Sequence, residues 1–262
     1  MKLWLLVCAC YLLSACSPYA RADKFALAHN MQKQAIKTQP FTLTTFERIQ
    51  KQNSTISVYV EGDGRAFLAN GTRISNDPSP RSLFLLNIVN NDPRANVVYL
   101  ARPCQLSYMD LASGICKPKH WSYARYSQEI VDSVNAALDN IKARTQAKNL
   151  ELVGFSGGGA IVTLVAAKRD DVVNIRTIAG NLDLAAMDAY HKTKPLYESL
   201  DPLQIASKIA HIPQQHFVGT HDQVVPAFIA QNFAARANNP AKVEVIKISK
   251  ATHTTGWGTK IY

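Results

Sequence analysis

Three residues far apart in the chain have the side chains of a proton relay: Ser156, Asp222 and His253. A serine hydroxyl is a poor nucleophile near neutral pH and needs a base within hydrogen-bond reach. Histidine can take that proton and later deliver it to a leaving group. Aspartate can fix the imidazole tautomer and stabilise the imidazolium as it forms. Brought together, the three would attack a carbonyl carbon and hold the acyl group on Ser156. Each also has a bland reading. Ser156 could sit in an ordinary glycine-rich turn, Asp222 could cap a helix, and His253 could be a surface-loop residue. Asp183, in Gly180-Asn181-Leu182-Asp183, is a competing acid.

The elements around these residues decide between the readings. Leu150-Glu151-Leu152-Val153 reads as a short buried strand and Ala160 to Ala167 as an apolar helix, with Gly154-Phe155-Ser156-Gly157-Gly158 between them. Glycines at such a turn permit strained dihedrals and close helix–strand packing. Gln214 to Val218 reads as a strand that runs into Gly219-Thr220-His221-Asp222-Gln223-Val224-Val225-Pro226. Val243 to Ile248 is a last strand, with Ala251-Thr252-His253-Thr254 after it. Further strands are expected at Phe41 to Arg48, Ser54 to Val60, Asn96 to Ala101 and Val172 to Ala179. Helices are expected from Ser79-Pro80 to about Val89, from Ser127 to about Ala147 and over Ala227 to Ala237, with a short one opening at Asp201-Pro202. Alternating strands and helices imply an α/β domain with a mostly parallel central sheet flanked by helices. Sites in such folds lie at the carboxyl ends of the strands, where all three residues fall.

An anion formed during attack needs two backbone N–H groups aimed at it. Gly157, at a helix N-terminus, is one expected donor. The other is expected from the turn Glu61-Gly62-Asp63-Gly64, which follows an early strand. Glu61 and Asp63 bring carboxylates to that place, so only their backbone could serve it. Arg102 is expected to form an ion pair there. His191, His216 and His221 read as loop or strand-end residues, and Tyr108, Trp121 and Trp257 as packing aromatics.

The chain has 262 residues and a formal net charge of +10. Its basic residues are scattered, with no run of five, which argues against nucleic acid as a partner. Anionic lipid or acidic ligands suit the charge better. Lys2 and the apolar stretch Leu3 to Leu13 read as an export signal over 1–15, since a membrane span needs about 20 apolar residues. Cys8 and Cys10 would leave with it. In an exported chain Cys104 and Cys116 are expected to pair as a disulfide. No close partner set accompanies them, so metal is not expected. Residues 16–39 read as a polar tether, and 40–262 as one domain.

Leu13-Ser14-Ala15-Cys16 resembles the lipobox of bacterial lipoproteins, in which the cysteine receives lipid. The order Ser, Asp, His, with the G-x-S-x-G turn, Gly-Thr-His-Asp-Gln-Val-Val-Pro and a late Thr-His, resembles the α/β-hydrolases over roughly Ser54 to Trp257. The resemblance implies a serine hydrolase acting on an ester, thioester or amide, esterase or lipase more than peptidase. Ser156, Asp222 and His253 would be catalytic, and no cofactor would be required. Glu61-Gly62-Asp63-Gly64 stands where relatives commonly carry His-Gly, a departure, and the resemblance there implies the Asp63 amide as the second anion donor. It also implies lipid anchoring at Cys16 in the bacterial envelope. Ser17 suggests the outer membrane facing the periplasm, with a small-molecule or lipid-like acyl substrate. The rival expectation is a binding lipoprotein that keeps the scaffold without catalysis.

Overall fold

The computed structural model describes residues 17–68, 71, 73–259, 261 and 262. The expected signal segment 1–15 and the lipidation site Cys16 lie outside the described residues. From Ser17 onward the chain is already part of the domain. Ser17 accepts a hydrogen bond from the Ala20 N–H at 3.1 Å and so caps helix α1 (Pro18–Ala28), with Pro18 in the first turn. Strand β1 (Gln32–Lys37) then pairs antiparallel with β2 (Thr42–Ile49). The expected tether over 16–39 is therefore corrected from Ser17 onward, where helix and ladder satisfy the backbone and make these residues part of the domain.

β3 (Ile56–Val60) leads to a two-stranded hairpin, β4 (Phe67–Leu68) with β5 (Arg73–Ile74). Next come α2 (Phe84–Asn91), β6 (Asn96–Leu100) and α3 (Tyr108–Ala112), followed by a 3₁₀ turn at Pro118–Trp121. α4 (Gln128–Thr145), β7 (Leu150–Phe155), α5 (Gly157–Ala166) and β8 (Val172–Ile178) form the centre of the chain. α6 (Leu184–His191), a 3₁₀ turn at Pro202–Ile205, β9 (Gln214–Gly219), α7 (Ala227–Ala237) and β10 (Val243–Ile248) complete it.

The eight-stranded sheet has the order β1-β2-β6-β3-β7-β8-β9-β10. β2 runs antiparallel to both its neighbours, and the pairs from β6 to β10 are parallel. Every residue of β3 and β6 is buried. Burial at successive positions means that both faces of the sheet are covered, as a parallel sheet requires. α4 turns Ile130, Val131, Val134, Ala137, Leu138 and Ile141 inward, the stripe expected from helical spacing.

Two expectations fail at element ends. Ser79 does not cap a helix; its Oγ accepts from the Leu106 N–H at 2.9 Å, and α2 starts at Phe84. The competing demand comes from the long segment between β6 and α4, 102–126, whose backbone needs that acceptor. No helix is expected between β8 and Asp201-Pro202, yet Asp183 caps α6 by accepting from the Ala186 N–H at 3.0 Å.

Candidate active site

Ser156 stands between β7 and α5 with φ 51° and ψ −121°, a left-handed-side conformation that costs a non-glycine residue energy. The turn is tight because its flanking glycines touch backbone. A Cβ on Gly154 would lie 2.3 Å from the Gly158 carbonyl oxygen, and one on Gly158 would lie 2.2 Å from the Val60 oxygen. The Ser156 N–H donates to the Ile178 carbonyl at 2.9 Å, which ties the turn to β8.

The structure brings Ser156, His253 and Asp222 into one hydrogen-bonded chain. His253 Nδ1 lies 2.9 Å from Asp222 Oδ2, and His253 Nε2 lies 3.2 Å from Ser156 Oγ. A carboxylate only accepts, so Nδ1 carries the hydrogen, leaving Nε2 to accept from the serine hydroxyl. The Asp222 side chain has no exposed surface. Its Oδ1 accepts from the Val224 and Val225 N–H groups at 2.8 and 3.0 Å, which fixes Oδ2 toward the imidazole. Behind His253, the Trp257 indole N–H donates to its carbonyl at 3.3 Å, and the Phe155 ring packs 4.9 Å away. Asp183, the competing acid, is occupied elsewhere: besides capping α6 it accepts from Asn232 Nδ2 at 2.8 Å.

Gly157 and Asp63 come together beside the serine. Among the described residues neither backbone N–H has a protein acceptor, so both are available to an anion. The turn carrying Asp63 is braced by Gln105 Nε2, which donates to the Gly62 carbonyl at 2.9 Å. The Asp63 carboxylate lies against Gly157 and within a cationic cluster. It pairs with Arg102, with Arg125 at 3.3 Å, and accepts from the Tyr126 hydroxyl at 3.1 Å. Burial alone would raise this carboxyl, yet Arg125 and Arg102, with hydrogen bonds from Arg102 and Tyr126, hold it below the usual range. The negative charge that the sequence placed next to an anion site is thus matched by two guanidinium groups. Arg102 forms the ion pair expected of it, and Arg125 was not anticipated. It lies in a stretch without periodicity, so nothing local marks it.

Glu61 is the other acid of that turn. It is buried, accepting from the Gly62 N–H at 2.8 Å and from the Tyr99 hydroxyl at 2.9 Å. Burial pushes its carboxyl up to about 7 despite those bonds and Arg102. A cavity of about 570 Å³ opens over Ser156 and His253. Phe67, Phe84, Leu85, Phe155 and Val224 supply its apolar wall, while Arg65 and Arg81 stand at its solvent side.

Cys104 and Cys116 are joined as a disulfide, with Cα atoms 5.6 Å apart. The remaining histidines and aromatics depart in part from expectation: His216 lies inside β9, His191 ends α6, and Tyr108 is not packed. His216 is buried against Thr177, with its imidazole pushed down to about 3 by burial. His191 bonds the Val224 carbonyl, the Trp121 indole N–H donates to the Ser75 carbonyl, and Tyr108 is exposed. His221 lies in the turn before Asp222. Among the described residues no group of acidic, histidine or cysteine side chains could hold a metal ion.

No protein-family model matches the sequence, and no curated protein sequence does. Solved structures do. The chain is similar to an esterase from Pyrococcus furiosus, with TM-score 0.60, 13% identity and 86% of each chain covered. It is similar to an acylaminoacyl peptidase from Pyrococcus horikoshii, with TM-score 0.59 and 16% identity over 85% of this chain and 37% of that one. A membrane phospholipase A described as a bacterial virulence factor gives TM-score 0.56 and 17% identity over 97% and 93%. At such identities the likeness establishes the fold, and this chain has the α/β-hydrolase fold.

Proposed function

We propose that the protein is a serine hydrolase that cleaves an ester, thioester or amide through an acyl-enzyme on Ser156. The supporting observation is the hydrogen-bonded run from Asp222 through His253 to Ser156. As Ser156 Oγ attacks the carbonyl carbon, its proton moves to His253 Nε2, and Asp222 stabilises the imidazolium. The carbonyl oxygen becomes an anion received by the Gly157 and Asp63 N–H groups. Collapse breaks the bond to the leaving group, which departs with the proton from His253. Water then repeats the sequence on the acyl-enzyme, with His253 again as base, and frees the acid. An ester is favoured over a peptide because the cavity wall of Phe67, Phe84, Leu85, Phe155 and Val224 suits an acyl chain.

The same reading places the chain in a bacterial envelope, anchored by lipid on Cys16. The support is the sequence Leu13-Ser14-Ala15-Cys16. Among the described residues no helix is long and apolar enough to cross a membrane. Since α1 starts one residue after Ser17, the anchor would leave little slack.

The test is labelling by a fluorophosphonate probe, with Ser156→Ala alongside. Wild type alone should label. No labelling of either protein would reject catalysis and leave a binding role for the scaffold. Metabolic labelling with a palmitate analogue, lost in Cys16→Ser, tests the anchor.

A further inference from the structure

The cations around the Ser156 cavity are not all accounted for by the fold. Arg102 and Arg125 beside it pair with Asp63. Arg65 and Arg81 line the cavity yet have no carboxylate within salt-bridge distance among the described residues. Both are exposed. Two acids share the lining, and neither offsets them. Asp63 is already matched by Arg102 and Arg125, and burial, which raises Glu61 to about 7, leaves it only partly ionised near neutral pH. The cavity therefore has an apolar wall beside the nucleophile and an uncompensated positive rim toward solvent.

We propose that the substrate of this site is an acyl ester bearing an anionic group, phosphate or carboxylate, on its alcohol side. The acyl chain lies against Phe84, Leu85 and Phe155, and the anion meets Arg65 and Arg81 at the mouth. This inference rests on the hydrolase reading of Ser156 and adds the substrate class. Guanidinium groups suit either anion, since both offer paired oxygens to their N–H donors.

The experiment compares kcat/KM for three esters with the same acyl group: monobutyrylglycerol, monobutyrylglycerol phosphate and O-butyryl glycerate. Wild type should favour the anionic esters by about tenfold at low ionic strength, two exposed ion pairs giving a few-fold each. Added salt should shrink the preference. Preference for both anionic esters, or for the phosphate alone, supports the proposal and separates the two sources of charge. Arg65→Gln with Arg81→Gln should bring the ratio toward one. Lys51→Gln with Lys148→Gln, the same loss of charge before β3 and β7 at the far end of the sheet, should retain it. Equal rates on the three esters overturn the proposal. So does a preference that survives in the arginine variant or vanishes in the lysine variant. If Ser156 takes the fluorophosphonate but none of the esters turns over, or none is preferred, this inference alone fails. If Ser156 does not label, the hydrolase reading fails and this falls with it.

Discussion

The Gly157 α-carbon lies so close to the Asp63 carboxylate that a Cβ there would stand 2.0 Å from Asp63 Oδ1 and 2.7 Å from the Tyr126 hydroxyl. Asp63 cannot withdraw, because Arg102, Arg125 and Tyr126 hold it. The absence of a side chain at 157 thus lets the two proposed anion donors sit side by side. Gly157→Ala must push one of them away. We expect it to cost about 1–3 kcal/mol of stability, the usual penalty for overpacking. A displaced donor should lower kcat roughly 10²-fold with little change in KM. Urea unfolding and steady-state kinetics measure both; wild-type values for each would mean the contact yields easily.

The two acids that the sequence left in competition should now separate cleanly. Asp222→Asn should lower kcat roughly 10³- to 10⁴-fold, since an amide can bind the wrong imidazole tautomer. Asp183→Ala should leave kcat within a few-fold. Its cost should instead be about 1–2 kcal/mol of stability, from the lost cap on α6 and the unpaired Asn232 amide. Activity lost in the second variant and kept in the first would reverse the assignment.

The Cys104–Cys116 bridge closes a loop of sequence separation 12 inside the excursion that begins at Arg102 and ends near Arg125 and Tyr126. Cross-linking a loop of that size should contribute about 3 kcal/mol, mostly by restricting the unfolded chain. Replacing both cysteines with serine should therefore lower the melting temperature by roughly 5–10 °C. Activity should fall as well, because the excursion supplies all three side-chain partners of Asp63. A variant that melts with the wild type would show the excursion to be held by packing alone.

Ser156, Asp222 and His253 were legible because each follows a strand whose apolar run stands out by itself. α7 and β10 were expected at the residues where they occur, since a compact helical stripe and a bounded apolar strand leave little choice. The first elements were not legible for the opposite reason. β1 buries only Ile36, and α1 buries only Pro18, Ala22 and Ala26, so neither carries a strong periodic signal. β1 is ordered by its hairpin ladder with β2, and α1 by packing on β1, contacts that small or polar side chains do not announce. Arg125 and Gln105 escaped notice likewise: their roles exist only once the excursion folds back over the Glu61–Gly64 turn. The sequence marked Glu61 as an acid in a doubtful place, but its burial beneath Tyr99 is a property of the packed sheet.

Glu61 gives the sharpest test of that packing. Burial raises its carboxyl from 4.5 in the free residue to about 7 in the folded protein. The folded state therefore holds its proton more tightly than the unfolded state does. Stability linked to this group is fully present below about pH 4.5 and declines as pH rises through about 7. Glu61→Gln keeps an acceptor for the Gly62 N–H, and its amide can donate to the Tyr99 oxygen. Wild type and variant should match in stability near pH 4, and the variant should be more stable by up to about 3 kcal/mol near pH 8. Because Glu61 lines the cavity over Ser156, its ionisation also sets a negative charge near the developing oxyanion. The alkaline limb of kcat/KM should accordingly move to higher pH in the variant. Parallel stability curves for the two proteins across this pH range would mean that Glu61 is solvated, and that its turn is built differently.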